Sequence, residues 1–173
     1  MDTEFILTVK KNPDLLESEL EDVITLGSRV FNTDLQANRN TFIHTTHIMG
    51  YYGSSLVSHA LWYTRWMQTG SSPLLKTAFV DVVATGEEYR KQGFASSVLA
   101  RFAESVTDYD IAALTTASTG FYERLGWQVW SGPVYFEKTE KQIAQPNDSL
   151  MVLSLPNTPD LDLDAPLTVE WRE

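Results

Sequence analysis

Gly86-Glu87-Glu88-Tyr89-Arg90-Lys91-Gln92-Gly93-Phe94-Ala95 is the stretch that decides how this chain folds. It follows Leu75 to Thr85, a nearly continuous apolar run carrying one acid, Asp81, and it leads into a segment with Phe94, Val98, Phe102 and Val106 on one helical face. Such a run predicts a buried central strand, so the local order is strand, loop, helix. A loop of this kind aims successive backbone N–H groups at one spot, and the helix N-terminus adds a partial positive charge. A pyrophosphate can sit there without a large basic patch. Gly93 admits a close backbone approach, while Arg90 and Lys91 bring charge. The stretch is neither GxGxxG nor a Walker loop ending in Gly-Lys-Ser/Thr, which removes the residue basis for dinucleotide and nucleotide-hydrolase readings. Taken alone, it also fits an ordinary basic helix start with glycine at a turn.

Outward from this unit, Asn12-Pro13-Asp14 predicts a helix start, with an asparagine cap, a proline whose missing N–H costs nothing, and acids at the positive end of the dipole. The helix runs to about Phe31, with Leu16, Leu20, Val23 or Ile24, and Gly27 on the apolar face. Residues 32–40 read as polar loop. Residues 41–52 and 55–67, aromatic and β-branched, flank Gly53-Ser54 and predict a hairpin of two long strands. Later come a short strand at 111–115, a short helix at 118–125 closed by Gly126, and strands at 127–130 and 149–155. In Asp160-Leu161-Asp162-Leu163-Asp164 the alternation predicts a solvated edge strand. The sum is a mixed α+β fold with a parallel element in its middle.

At 173 residues the chain is long enough for one ordinary domain, 1–173, and 43% apolar with 21% charged residues is a globular composition. Zero cysteines exclude a disulfide framework, thiolate metal sites and a cysteine nucleophile, and fit a cytoplasmic setting. The first residues lack an apolar signal region, and no apolar run approaches the roughly 20 residues of a membrane span, so no membrane partner is expected. The net charge of −10 is unevenly spread: residues 1–34 hold eight acids and three bases, residues 137–173 again eight and three, and the middle is balanced. Nucleic acid is a poor partner for such a chain. The acidic ends suit electrostatic attraction of a cationic ligand, or simply a solvated surface.

The loop Arg90-Lys91-Gln92-Gly93-Phe94-Ala95 resembles that of the GNAT superfamily of acyl-CoA-dependent N-acetyltransferases, with its Arg/Gln-x-x-Gly-x-Gly/Ala pattern. Phe121-Tyr122-Glu123-Arg124-Leu125-Gly126-Trp127 resembles the family's later elements. Within the superfamily the chain is most similar to the aminoglycoside 2'-N-acetyltransferases, through Ser58-His59-Ala60, Phe79-Val80-Asp81, Gly126-Trp127-x-x-Trp130-x-Gly132-Pro133 and Glu170-Trp171-Arg172. The resemblance implies a mixed sheet whose central parallel strands splay, flanked by helices. It implies acetyl-CoA as cosubstrate, with its pyrophosphate on Arg90, Lys91, Gln92, Gly93, Phe94 and Ala95 and its pantetheine arm on the backbone of Val83 and Thr85. It implies Tyr122 as the acid that protonates the departing thiolate, a suitable job for a phenol, although such a tyrosine also packs well as a half-buried aromatic. Asp81 stands where such relatives carry the glutamate that accepts the amine's proton, and Val82 where they carry glycine. Asp34, Asp81, Thr116, Asp148, Trp171 and Glu173 fall at acceptor-binding positions. The acceptor implied is an aminoglycoside 2'-amine. A polyamine or peptide amine, or a non-catalytic acyl-CoA-binding module, are the alternatives.

Other chemistry is weakly supplied. His44 and His47, three apart in an expected strand, face opposite sides and make no metal pair, so no metal is expected. His59 reads as a hydrogen-bonded strand residue. No serine sits in a Gly-x-Ser-x-Gly elbow. Trp62 and Trp66 share a strand face that serves packing, a sugar-stacking wall or a homodimer contact.

Overall fold

The computed structural model describes residues 3–70, 72–138, 141–144 and 148–170. Two units divide it: Met1–Tyr63 with Val80–Ser105, and Thr64–Phe79 with Val106–Glu173. In the first, β1 (Phe5–Lys11) pairs antiparallel with β2 (Thr46–Tyr52), which pairs in turn with β3 (Ser55–Thr69) across a turn holding Gly53 at φ +62°. The β2–β3 register shifts between Gly50 and Tyr51, a bulge in the hairpin. Helix α1 (Glu17–Phe31) buries Val23, Ile24, Leu26 and Gly27, and α2 (Phe94–Ser105) buries Val98, Leu99 and Phe102. The C-terminal half of β4 (Leu75–Thr85) completes this unit.

Asn12 does not cap α1. Residues Asn12–Asp14 form one 3-10 turn, Leu15 and Leu16 are extended, and α1 starts at Glu17 with its own Glu19 carboxylate accepting the Leu16 N–H at 2.9 Å. Lys10 binds the same carboxylate at 2.7 Å, so β1 and the helix start share one anchor. Periodicity does not reveal the edge strand β1, because Phe5-Ile6-Leu7-Thr8-Val9 does not alternate apolar with polar residues. The segment expected as polar loop contains a kinked 3-10 helix, Gln36–Phe42, which Arg39 ties back to α1 through Glu17 and Glu21. Strand β2 also begins later than expected, at Thr46, which leaves His44 in the preceding turn.

In the second unit the strand order is β6-β9-β5-β4-β3-β10-β7-β8, with β5 (Ile111–Thr116), β6 (Gln128–Val129), β7 (Val134–Lys138), β8 (Lys141–Ala144), β9 (Ser149–Ser154) and β10 (Leu167–Glu170). The β4–β5 ladder is parallel and spans Thr77↔Ile111 to Phe79↔Ala113. A second parallel ladder joins β10 to β7, while β9 runs antiparallel to both β5 and β6. Helix α3 (Thr119–Glu123) is closed by Gly126 at φ +91°, as a left-handed C-terminal glycine should. The fold is therefore α+β with a mixed sheet.

The Asp160–Asp164 stretch is a turn rather than an edge strand. The Ser131 and Gly132 N–H groups both donate to Leu163 O at 2.9 Å, which folds this segment onto the chain before β7; Asp160, Asp162 and Asp164 stay exposed. Trp130 Nε1 donates to Ala165 O at 2.8 Å. A Cβ on Gly132 would collide with the Ala165 carbonyl and would stand 2.6 Å from Asp164 O. Because both obstacles are backbone, Gly132→Ala should cost about 1–3 kcal/mol, read as a lower urea midpoint with unchanged slope, whereas alanine at Gly120, where nothing lies within 4 Å of the new Cβ, should not.

Candidate active site

The loop after β4 leaves the strand abruptly: the Gly86 N–H donates to Val57 O at 2.9 Å and Glu87–Tyr89 make a single 3-10 turn. Lys91 at φ +62° and Gly93 at φ +83° are both left-handed, a backbone alternation that turns neighbouring N–H groups to one side. Nothing lies within 4 Å of a Cβ built on Gly93, so this concavity is open. Ser97 N–H donates to Gly93 O at 3.0 Å, closing the first turn of α2 and leaving the N–H groups of Phe94, Ala95 and Ser96 without intrahelical acceptors. Arg90 Nε donates to Thr85 O at 3.4 Å, and the Gln92 amide to Glu88 O at 3.2 Å. Open amides, a helix start and two exposed cations are what a diphosphate requires.

Upstream, β4 carries an irregularity that hydrophobic periodicity does not announce. Val82 adopts φ +49°, a conformation that costs an L-residue roughly 1–2 kcal/mol and suits glycine. Its N–H donates to Asp81 Oδ1 at 2.7 Å, and the Tyr63 hydroxyl reaches Asp81 Oδ2 at 3.5 Å. Asp81 and Val82 line a pocket of about 340 Å³ with Phe31, Thr33, Leu35, Asn38, Thr41 and Phe42. Ile24, Phe42 and Leu61 form the buried cluster beneath, with Leu35, Tyr63 and Val82 packed on it. Asp34 is exposed beside this segment, where its Oδ1 accepts the Gln36 N–H at 3.0 Å. Thr85 shares a 2.8 Å hydroxyl contact with Ser58.

Behind Val82 lies a buried chain of polar groups. Thr45 Oγ1 and His47 Nε2 are 2.8 Å apart, His47 Nδ1 and His59 Nε2 2.9 Å, and His59 Nδ1 and Val82 O 3.0 Å. Both imidazoles are fully buried. Burial pushes His47 down to about 4; burial, reinforced by His47 and opposed by the Val82 carbonyl, pushes His59 down to about 3.

The second unit holds the remaining expected residues. Tyr122 is buried in α3, its ring edge-on to Phe121 at 5.0 Å and to Trp127 at 6.0 Å, and its carbonyl accepts the Leu125 and Trp127 N–H groups. Thr116 ends β5, where its hydroxyl accepts the Ser118 N–H at 3.0 Å. It pairs with Ser149, so the register sets Asp148 beside Thr116. Trp171 and Glu173 lie outside the described residues. Trp62 is buried edge-on against Phe102 at 5.5 Å, which removes it as a sugar-stacking or dimer surface.

The profile of the acetyltransferase (GNAT) domain matches residues 14–130. This chain belongs to the GNAT acetyltransferase family. The aminoglycoside 2'-N-acetyltransferase of Mycolicibacterium fortuitum is 29% identical over 106 residues, 57% of this chain and 54% of that protein, so the chain spans about half the length of this curated relative. Among solved structures, the GNAT family protein YhbS of Escherichia coli, in complex with CoA, superposes with a TM-score of 0.69 over 98% of this chain and 91% of its own at 14% identity. ElaA of Escherichia coli gives 0.65 over 87% and 100% at 16% identity. These likenesses carry the fold.

Within this GNAT domain the reading of single residues missed His47 as a partner of His59, because the residues lie twelve apart and only the hairpin register joins them. It also missed the pocket wall, since Thr33, Asn38 and Thr41 sit in a segment with no periodicity. Among the described residues no helix is long and apolar enough to cross a membrane, and no three ligating side chains gather for a metal.

The histidine pair dictates an acid sensitivity. Unfolded, each imidazole titrates near 6.5; folded, both stay neutral far below that, so the unfolded state binds more protons in between. Stability is therefore full above pH 6.5 and declines as pH falls toward 4, by on the order of a few kcal/mol for the pair. Urea unfolding at pH 7, 6, 5 and 4 should show this decline, and a His47→Gln/His59→Gln variant should show a flatter one.

Proposed function

We propose that residues 1–173 act as one acetyltransferase domain that moves the acetyl group of acetyl-CoA onto an amine of a cationic small molecule, with the 2'-amine of an aminoglycoside as first candidate. The observation that carries the reading is Asp81, a carboxylate on a kinked strand at the wall of a pocket, in the same unit as a left-handed loop whose amides open to one side. The Mycolicibacterium fortuitum relative and the acidic ends of the chain support the aminoglycoside class.

Acetyl-CoA, when bound, supplies an activated thioester. The amides around Gly93, Phe94 and Ala95, with Arg90, Lys91 and Gln92, hold its diphosphate; the backbone of Val83 and Thr85 holds the pantetheine arm. An alkylammonium with a reference pKa of about 10.4 must lose a proton before it attacks. Asp81 receives that proton, directly or through water, and Tyr122 donates one to the departing sulfur. The carbon–nitrogen bond forms as the carbon–sulfur bond breaks. Asp34, Thr116, Asp148, Trp171 and Glu173 bind the rest of the acceptor.

The pocket itself also admits a second acceptor type. One carboxylate stands among three large apolar side chains, and about 340 Å³ is at the small end of ligand sites. A single amine-bearing ring or aliphatic monoamine fits those walls as well as one ring of an aminoglycoside.

Acetylation of tobramycin, spermidine, phenethylamine and a short peptide, followed by thiol release, separates the readings; turnover on none of them overturns both. Asp81→Asn should lower kcat/KM by about 10²-fold or more, and Tyr122→Phe should lower kcat with little change in acetyl-CoA KM. Asp34→Asn and Asp148→Asn should raise acceptor KM while acetyl-CoA affinity holds, since asparagine keeps the local fold without the charge; equal loss of both affinities argues against their assignment.

A further inference from the structure

The buried histidines serve no step above, yet their hydrogen bonds end on the residue that shapes the pocket. A carbonyl oxygen only accepts, so His59 Nδ1, 3.0 Å from Val82 O, must carry its hydrogen. In the neutral ring Nε2 is then bare and accepts, which requires His47 Nδ1 to donate across 2.9 Å. His47 Nε2 is in turn bare, and the Thr45 hydroxyl 2.8 Å away must donate to it. The same hydroxyl also lies 2.5 Å from Phe42 O; were its hydrogen given there, His47 would turn its own hydrogen toward Thr45 Oγ1 and two bare, buried ring nitrogens would face each other across 2.9 Å, whereas Phe42 O keeps the Thr45 N–H at 3.2 Å in either case. Two neutral imidazoles and one hydroxyl supply three hydrogens for four contacts, and the Phe42 contact is the one whose acceptor has another donor. The chain of donors therefore runs one way, from Thr45 to Val82.

At Val82 this order meets a left-handed β-branched residue whose N–H is taken by Asp81 Oδ1 at 2.7 Å. Both backbone groups of residue 82 are thus bound by side chains, one by Asp81 and one by His59. We propose that His59, aimed by His47, is a positioning residue that holds the Val82 carbonyl and thereby fixes the Asp81 carboxylate toward the acceptor pocket. This rests on the reading of that pocket as the acceptor site. Burial supports it, because neither ring can exchange its hydrogen bonds for water and both stay neutral in the physiological range. Deprived of the donor, Val82 relaxes toward negative φ, its N–H leaves Asp81 Oδ1, and the carboxylate turns with it.

The test uses the full chain. In ¹⁵N-histidine NMR at pH 7, His47 and His59 should both carry hydrogen on Nδ1 with a bare Nε2, opposite to the Nε2–H form that free imidazole side chains prefer in water. His59→Leu should shift the Val82 amide resonance away from its carboxylate-bonded position and raise KM for tobramycin about 10- to 100-fold, with acetyl-CoA KM unchanged. His59→Asn, whose amide nitrogen stands near the lost Nδ1, should restore most of both. An Nε2–H form or an imidazolium at His59 overturns the inference, as does a His59→Leu protein with the native Val82 resonance or native tobramycin KM. If instead the native protein acetylates no amine while tautomers and Val82 respond as expected, the acetyltransfer reading falls and the hold on Val82 stands. If His59→Leu does not fold, His47→Asn, which keeps a donor toward His59 Nε2, should retain the Val82 resonance; its loss there also counts against the proposal.

Discussion

A valine held at φ +49° within the central strand is the constraint around which the first unit is arranged. A regular strand spends its N–H and C=O groups on ladders, and a residue that turns away must find other partners for both or leave them buried and unpaired. Here the Asp81 carboxylate takes the N–H and His59 stands against the C=O. Helix α1 answers the same irregularity from the other side. A Cβ on Gly27 would stand 3.2 Å from Val82 Cγ1 and 2.5 Å from Leu35 Cδ1, so a larger residue where the helix crosses the kink would make both side chains shift. The pocket, the helix glycine and the histidine pair are three consequences of one turn in β4.

Much of this architecture is readable from residues because the signals are local. Leu75–Thr85, Phe94–Ser105 and the Gly53 turn declare themselves by periodicity and by glycine, and the structure places them at those positions. Asn12-Pro13-Asp14 misleads because a cap signal specifies a helical turn without specifying its length; two extended leucines intervene before α1. Asp160-Leu161-Asp162-Leu163-Asp164 alternates like a strand, but the Ser131 and Gly132 amides capture Leu163 O and fold it into a turn. Asp81 is legible as the lone acid in an apolar run, whereas the means of holding it is not. His47, His59 and Val82 meet only through hairpin pairing and a backbone angle, and neither leaves a trace in spacing.

Charge tells a related story. The acidic excess of the first 34 residues is not all free surface. Glu19 binds Lys10, and Glu17 and Glu21 bind Arg39, so three of these acids fasten β1 and the Gln36–Phe42 segment to α1. Exposed pairs of this kind contribute about 0–1 kcal/mol each, yet they act together on the segment that forms one wall of the pocket. Acid in this region therefore builds the cleft as well as colouring its field, and the charge of Glu17, Glu19 and Glu21 is partly neutralised by Lys10 and Arg39.

The choice of histidine to meet Val82 follows from what else could do so. A buried lysine or arginine would satisfy the carbonyl, but it would carry a charge out of water and set a cation near Asp81. A neighbouring cation favours the ionised form of a carboxylate and makes it a poorer proton acceptor, which is the wrong adjustment for the proton-accepting role proposed for Asp81. A neutral imidazole donates one hydrogen in one direction and adds no charge. Its weakness is the second nitrogen, which would otherwise be buried unpaired, and a second imidazole ending on a threonine hydroxyl meets that need with neutral groups alone. The pair thus meets the Val82 carbonyl with neutral groups alone and sets no charge beside the Asp81 carboxylate.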